Sequence, residues 1–176
     1  MRMRNLLSFV FVAALWGSTV SAETLEITAT PVALDPSQPE RTQVGDMHYM
    51  GGLLLSAKDA HFGGWSGLEV SADGKRCWAV SDKGSWMMAN LKHDKSGRLI
   101  GVGRAYIDRL YDVLGAKLYG KWYSDAEEIL RVSDDQVLVS FEHAHRVWSF
   151  KLKKGGLMGA ISSATRKSSR TSFGPS

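Results

Sequence analysis

The chain has 176 residues and one cysteine, Cys77, which excludes an internal disulfide. Removing the two arginines of the leader and the three basic residues of the C-terminal tail from the formal net charge of +4 leaves −1 for residues 23–160. This near-neutral body excludes the strongly basic surface by which nucleic-acid-binding domains hold phosphates.

The N-terminus has the pattern of a secretory signal peptide. Arg2 and Arg4 precede an apolar stretch, residues 6–16, that is too short for a stable membrane span. Val20-Ser21-Ala22 is typical of a cleavage site, so the sequence predicts a signal peptide over residues 1–22. We expect no stable membrane span after its removal and a periplasmic or secreted protein, because a secreted chain without disulfides fits a bacterial envelope. An uncleaved N-terminal anchor is the alternative.

The rest of the chain is predicted to consist of short strands. Prolines beginning with Pro31 predict a loop after the first strand, and Asp73-Gly74 predicts a hairpin turn. The predicted strands are Leu25–Thr28, Met50–Leu55, Gly67–Ser71, Arg76–Ser81, Trp86–Leu91 and Leu99–Val102. Apolar residues from Ile107 to Leu114 have helical spacing but stop at Gly115, which favours a structured loop. The pattern ends after Gly156, and the Ser- and Arg-rich residues 161–176 predict a disordered or aberrant tail.

Two segments, Trp65–Leu91 and Ala126–Leu152, resemble each other when the first is shifted forward by 61 positions without gaps. Each has three apolar runs and an acidic or glycine turn after the first run. A short polar segment follows the second run, Ser81–Gly84 in the first copy and Glu142–His145 in the second. A repeated β-meander indicates a propeller blade or a similar radial array. Two unrelated antiparallel meanders are the alternative.

Length limits this architecture. A propeller needs at least four blades of roughly 40–45 residues, and the chain after residue 22 supplies about three. The sequence therefore predicts an all-β fold of β-propeller-like meanders over residues 23–160, incomplete and equal to about half of a propeller.

Several motifs together resemble the phytase-like family, whose name refers to an esterase-like activity of phytase. They run from about Gly51 to Leu152 and are His61-Phe62-Gly63-Gly64-Trp65-Ser66-Gly67-Leu68, Trp78-Ala79-Val80-Ser81-Asp82-Lys83-Gly84, Asp125-Ala126-Glu127, Val139-Ser140-Phe141-Glu142 and His145-Arg146. Glu128-Ile129 replaces the glycine that more often follows Asp-x-Glu in this family. The resemblance implies a β-propeller, hydrolysis of an ester or phosphate ester, and assistance by a divalent metal. It carries over Asp82, Asp125, Glu127, Glu142, His145 and Arg146 as candidate site residues.

The residue types support the same chemistry independently. Asp82, Asp125, Glu127 and Glu142 lie at strand ends, where a propeller gathers side chains, and hard cations such as calcium prefer carboxylate ligands. We therefore predict a divalent-metal site formed by these four residues, with calcium as the candidate cation. The alternative is that such acids are solvated or accept hydrogen bonds from turn amides.

The predicted catalytic residues are Glu142, His145 and Arg146. A histidine can transfer protons, and Arg146 can bind a phosphate or carboxylate through two parallel hydrogen bonds. His143 and His145 could present two imidazoles, as in zinc sites, but a hairpin turn fits this segment better. Ser66 lacks the nucleophile-elbow pattern because Leu68 stands where glycine is required. Cys77 is predicted to be a buried, inert thiol.

The leading hypothesis is an exported hydrolase that acts on a small-molecule ester or phosphoester. A non-catalytic envelope propeller that binds a ligand or protein is the second hypothesis. The third is an inactive, truncated or frame-shifted product, because half a propeller leaves strand edges and apolar surface open. The sequence does not determine the oligomeric state.

Overall fold

The computed structural model describes residues 22–153 and 158–161, which are almost entirely β-structure. Nearly all of the predicted signal peptide and nearly all of the predicted tail lie outside these residues. In chain order, the strands are β1 (Glu23–Leu25), β2 (Thr28–Val32), β3 (Gln43–Val44), β4 (Met47–His48), β5 (Gly52–Ser56), β6 (Trp65–Val70), β7 (Arg76–Ser81), β8 (Ser85–His93), β9 (Leu99–Arg109), β10 (Ala126–Ser133), β11 (Gln136–Phe141), β12 (Arg146–Leu152) and β13 (Met158–Ile161). One short helix, α1 (Lys121–Ser124), precedes β10. No helix in the described ranges is long and apolar enough to span a membrane.

Two antiparallel meanders form the body of the fold. The first sheet has the order β1-β9-β8-β7-β6, and the second has the order β10-β11-β12-β13. Strands β2 and β5 form a separate pair, as do β3 and β4. This arrangement confirms the predicted all-β, propeller-like and incomplete fold.

The main core lies between the two meanders. Trp78, Val80 and Trp86 of the first sheet pack in one buried cluster with Val139 and Phe150 of the second. Trp78 and Trp86 are 1% exposed and are the two largest fully buried side chains of the described residues. Burial of such side chains is the dominant force that holds one sheet against the other.

The opposite face of the first sheet is covered by the N-terminal segment. Cys77 and Ala79 lie in a second buried cluster on this face, and Ile27, Ala57 and Phe62 of the N-terminal segment pack against it. Cys77 is buried, and desolvation raises the pKa of its thiol, as expected for an unreactive cysteine. Both faces of strand β7, which lies between β8 and β6, are therefore shielded from water, which explains its nearly continuous burial.

The three-dimensional repeat differs from the ungapped alignment in one respect. Leu68 pairs with Ala79 in the first meander, and Ile129 pairs with Val139 in the second. The outer strands of the two units therefore correspond at an offset of 61 residues, but the middle strands β7 and β11 correspond at an offset of 60. The turn between the first and second strands is one residue longer in the first unit than in the second. The turn between the second and third strands is one residue longer in the second unit than in the first. Because a one-residue slip moves every side chain to the other face, the ungapped alignment exchanged the two faces of the middle strand.

Several boundaries also differ from the sequence prediction. Strand β9 extends to Arg109 because it pairs with both β8 and β1. Pro31 does not end the first strand segment, since it lies within β2 opposite Leu53, in a two-stranded sheet where a proline is tolerated at an edge. Strand β13 occurs where the pattern predicted no further strand, and Met158 pairs with Leu152 of β12.

The first strands of the two meanders, β6 and β10, approach each other very closely. A Cβ atom added to Gly67 would lie 2.8 Å from both Glu128 Cα and Ile129 N. Both atoms belong to the backbone of β10 and cannot rotate away. Gly67 is buried, so this contact fixes how near the edges of the two sheets come.

We predict that Gly67→Ala lowers the free energy of unfolding by about 1–3 kcal/mol, the usual cost of overpacking. Gly101→Ala is the matched control, because a Cβ there would meet only Lys92 Cδ at 3.8 Å. Urea unfolding of both variants measures the difference. Equal midpoints for the two variants would show that the contact between β6 and β10 does not constrain the fold.

Candidate functional site

The candidate site lies at the end of the two meanders where β6 and β10 begin. In an antiparallel meander, the start of the first strand is adjacent to the turn between the second and third strands. Asp82 N donates a hydrogen bond to Gly64 O at 3.0 Å, and Glu142 N donates to Asp125 O at 2.9 Å. The two hydrogen bonds are equivalent in the repeat. They place the turn after β7 and the turn after β11 at the same edge of the molecule.

Asp125 is the centre of the site. Its side chain is fully buried, and Lys121 Nζ lies 2.7 Å from its Oδ1 atom. His143 Nε2 lies 3.1 Å from its Oδ2 atom, yet no hydrogen-bond donor of the described residues satisfies Oδ2. A buried carboxylate oxygen without a hydrogen bond is costly, and it is suited to bind a cation.

Lys121 connects Asp125 to the first meander. Its Nζ atom also lies 3.3 Å from Asp82 Oδ2, and these two carboxylates raise the pKa of the ammonium, Asp125 contributing most. A Cβ added to Gly84 would lie 2.5 Å from Ser124 Cβ, so glycine at this position allows the turn after β7 to reach helix α1. Asp82 Oδ1 is another buried oxygen without a hydrogen bond among the described residues.

Glu142 and His143 complete a group of metal-ligand type with Asp125. One ligand atom from each of the three residues lies within 4.8 Å of the other two. His143 has φ = 38°, the one positive value at a non-glycine residue in the described part of the chain. Its ring stacks on Trp122 at a centroid distance of 5.5 Å and an interplanar angle of 14°. A backbone in this unfavourable region is maintained only where the surroundings hold it, and such positions are frequent at functional sites.

Glu127 is the fourth carboxylate of this site. We call the carboxylates Asp82, Asp125, Glu127 and Glu142, together with Lys121 and His143, the acidic cluster. Desolvation raises the pKa of its carboxyl group, and the charges of Asp125 and Glu142 raise it further. Four carboxylates and one lysine leave an excess of three negative charges when all are ionised. Repulsion of this size is relieved by a bound cation or by retained protons.

The other two predicted catalytic residues lie outside the metal-ligand group. His145 is exposed in the turn after β11 and is not part of the metal-ligand group. The guanidinium of Arg146 lies over the rings of Phe141 at 3.9 Å and Trp148 at 4.2 Å. It donates hydrogen bonds to the carbonyl oxygens of Ala144 and Tyr123, and burial lowers its pKa. Arg146 therefore ties the turn after β11 to helix α1.

The donor set fits a divalent cation. Asp125 and Glu142 offer carboxylate oxygens, His143 offers an imidazole nitrogen, and Asp125 Oδ2 is buried and lacks a hydrogen bond. Three protein ligands of these types are the composition of many catalytic metal centres, which keep a further position for water or substrate. A bound cation would compete with Lys121, whose ammonium already occupies one side of Asp125.

Sequence reasoning missed Lys121, and it favoured a turn role for His143 over the ligand role that it also considered. Lys121 precedes Asp125 by four residues, but its helix has only four residues and no apolar periodicity that would predict it. His143 was assigned to a turn, and the turn is present. The orientation of its imidazole depends on the positive φ and on Trp122, neither of which sequence spacing reveals.

Removing the lysine charge should strengthen metal binding. We predict that Lys121→Met tightens the binding of a divalent cation about 3- to 10-fold, because the variant removes the ammonium that competes with the cation for Asp125. The metal-free variant should also unfold at lower temperature than wild type, because buried Asp125 loses its cationic partner. Isothermal titration calorimetry and thermal unfolding measure both effects.

Lys117→Met is the control, since Lys117 forms an ion pair of 3.3 Å with Asp108, the same length as the pair between Lys121 and Asp82. Unchanged or weaker metal binding in Lys121→Met would show that the cation does not bind beside Asp125.

Comparison with known proteins supports a hydrolase-type domain. No curated protein and no solved structure matches the chain. A family model described as "Phytase-like: Esterase-like activity of phytase" matches residues 60–171. The match covers more than half of the chain, includes every residue of the acidic cluster, and continues past Leu152, where the resemblance was expected to stop. The chain belongs to the phytase-like family.

Proposed function

We propose that the chain is an exported hydrolase that cleaves a small-molecule ester or phosphate ester with a divalent metal bound by Asp125, Glu142 and His143. The observation that carries this proposal is the fully buried Asp125, whose Oδ2 atom lacks a hydrogen bond next to a second carboxylate and an imidazole. The predicted signal peptide supports location in the periplasm or secretion.

The imidazole refines the choice of cation. Calcium, which the carboxylates alone suggest, binds almost exclusively to oxygen ligands. A set of two carboxylates and one imidazole favours manganese or zinc. A divalent cation in this position supplies charge that polarises the substrate oxygen and lowers the pKa of water.

The residues of the chain perform the remaining steps. Glu127 lies beside Asp125 and Glu142, and its raised pKa makes its carboxylate a better proton acceptor at neutral pH. Desolvation, the largest cause of this shift, persists when a cation neutralises the neighbouring carboxylates. A Glu127 oxygen accepts the proton from the attacking water, whose oxygen bonds to the acyl carbon or phosphorus. The bond to the leaving alcohol breaks, and Glu127 returns the proton to that oxygen.

Lys121 has a second role in this proposal. A cation bound at Asp125 Oδ2 would weaken the attraction between Asp125 Oδ1 and the Lys121 ammonium, and this exposed ammonium could then approach the negative charge that develops on the substrate. Arg146 is a positioning residue rather than a proton donor, because its guanidinium is held by two rings and two carbonyl oxygens.

We predict that the chain hydrolyses 4-nitrophenyl acetate or 4-nitrophenyl phosphate, that a chelator abolishes the activity, and that added Mn²⁺ or Zn²⁺ restores it. Glu142→Gln and His143→Gln should each lower the metal-dependent rate about 10- to 100-fold, because each removes one ligand. Both residues are exposed, so these substitutions spare the core.

Glu40→Gln and His48→Gln are the matched controls, because both residues are exposed and lie outside the cluster. Activity that is absent under all metal conditions would favour the hypothesis of a non-catalytic binding module. Activity that the chelator and the two ligand variants leave unchanged would contradict the proposed metal centre.

A further inference from the structure

A cleft of about 540 Å³ opens beside the acidic cluster and is not part of it. Its walls are formed by the segment between β9 and helix α1, by α1 itself, and by the start of β12. The residues that line it include Val113, Leu114, Tyr119, Tyr123, Arg146 and Trp148. A volume of this size lies within the range of about 300–1,000 Å³ that small-molecule sites occupy.

The apolar lining of this cleft is unusually exposed. Leu114 is 89% exposed, Tyr119 64%, and Tyr123 59%. Single exposed apolar residues are ordinary, but several that converge on one concave surface indicate a binding site. Two of the three are aromatic and Trp148 adds a third ring, so the cleft offers flat surfaces of the kind that stack on an aromatic ligand.

The charge of the cleft complements an electron-rich ligand. Lys117 and Arg146 line it, against Asp112 as the acidic residue. The Arg146 guanidinium already covers the Trp148 ring, and its Nε atom is buried without a hydrogen-bond partner among the described residues. A ligand that carries a carboxylate, phosphate or ester group next to an aromatic ring matches this combination.

The cleft and the acidic cluster share the same two structural elements. Helix α1 contributes Lys121 to the cluster and Tyr123 to the cleft. The turn after β11 contributes His143 to the cluster, whereas the next residue, Ala144, lines the cleft. The cleft therefore adjoins the cluster along helix α1 and the turn after β11.

We propose that this cleft binds the aromatic part of the substrate, so that the preferred substrates are aryl esters or aryl phosphates. This proposal rests on the proposed function of the acidic cluster for its catalytic meaning, whereas binding of the aromatic group depends on the cleft alone. The ring lies among Tyr119, Tyr123 and Trp148, and the ester or phosphate group extends past Ala144 toward His143.

The test uses 2-naphthoate as an unreactive aromatic anion and the full chain without added metal. Tryptophan fluorescence should show saturable quenching by 2-naphthoate, because Trp148 lines the cleft, and acetate at the same concentrations should have no effect. Leu114→Asp should weaken 2-naphthoate binding at least about fivefold, since it places a negative charge in the cleft. Leu54→Asp is the matched control, because Leu54 is 65% exposed and lies on β5, outside the cleft.

The outcomes separate this proposal from the proposed function. Saturable binding that Leu114→Asp weakens and Leu54→Asp leaves within twofold supports the cleft. This binding should persist in Glu142→Gln, where the rate of hydrolysis falls. If the wild-type chain binds 2-naphthoate but hydrolyses neither substrate, the catalytic proposal alone would be overturned. Equal quenching by acetate and 2-naphthoate, or equal weakening by the two leucine variants, would overturn the aromatic site.

Discussion

The close approach of β6 to β10 at Gly67 is the constraint on which the rest of the structure depends. The first strand of each meander carries the second and third strands with it, so the spacing of these two strands sets the spacing of both sheets. The tryptophan-rich core fills the wedge between them. The same approach brings together the ends of both meanders, where the turn after β7 carries Asp82 and the turn after β11 carries Glu142 and His143. A bulky residue at Gly67 would separate the sheets and disperse the acidic cluster.

The repeat also explains the surface that the second sheet exposes. The first sheet buries Trp78 and Val80 against the second sheet. The equivalent positions of the second sheet are Leu138 and Ser140, and their neighbours Leu130 and Val147 are 54% and 50% exposed. In a radial array, this face would pack against a following blade, because each blade presents the same face to its successor. The exposed Leu130 and Val147 therefore lie on the face that an incomplete propeller is expected to leave uncovered.

Sequence patterns predicted the periodic features well, for a physical reason. Strand alternation and turn residues are local properties, so the two meanders, the Asp73-Gly74 turn and the buried Cys77 could be recognised from neighbouring residues. The register of the middle strands could not be recognised in this way. The two differences in turn length are of one residue each and cancel each other, so the period of 61 residues between the outer strands is unchanged. Of the site, the strand-end carboxylates were identifiable by residue type. The roles of Lys121 and His143 depend on a four-residue helix and on a positive φ, and both are set by tertiary contacts.

The central claim is that buried Asp125 binds a divalent cation together with Glu142 and His143. A crystal structure of the chain soaked with Mn²⁺, with anomalous differences recorded, tests this most directly. The account predicts one strong peak at about 2.0–2.6 Å from an oxygen of Asp125, an oxygen of Glu142 and a nitrogen of His143, with Lys121 displaced from Asp125. A Lys121 ammonium that stays between Asp82 and Asp125, with no manganese peak beside them, would contradict the account.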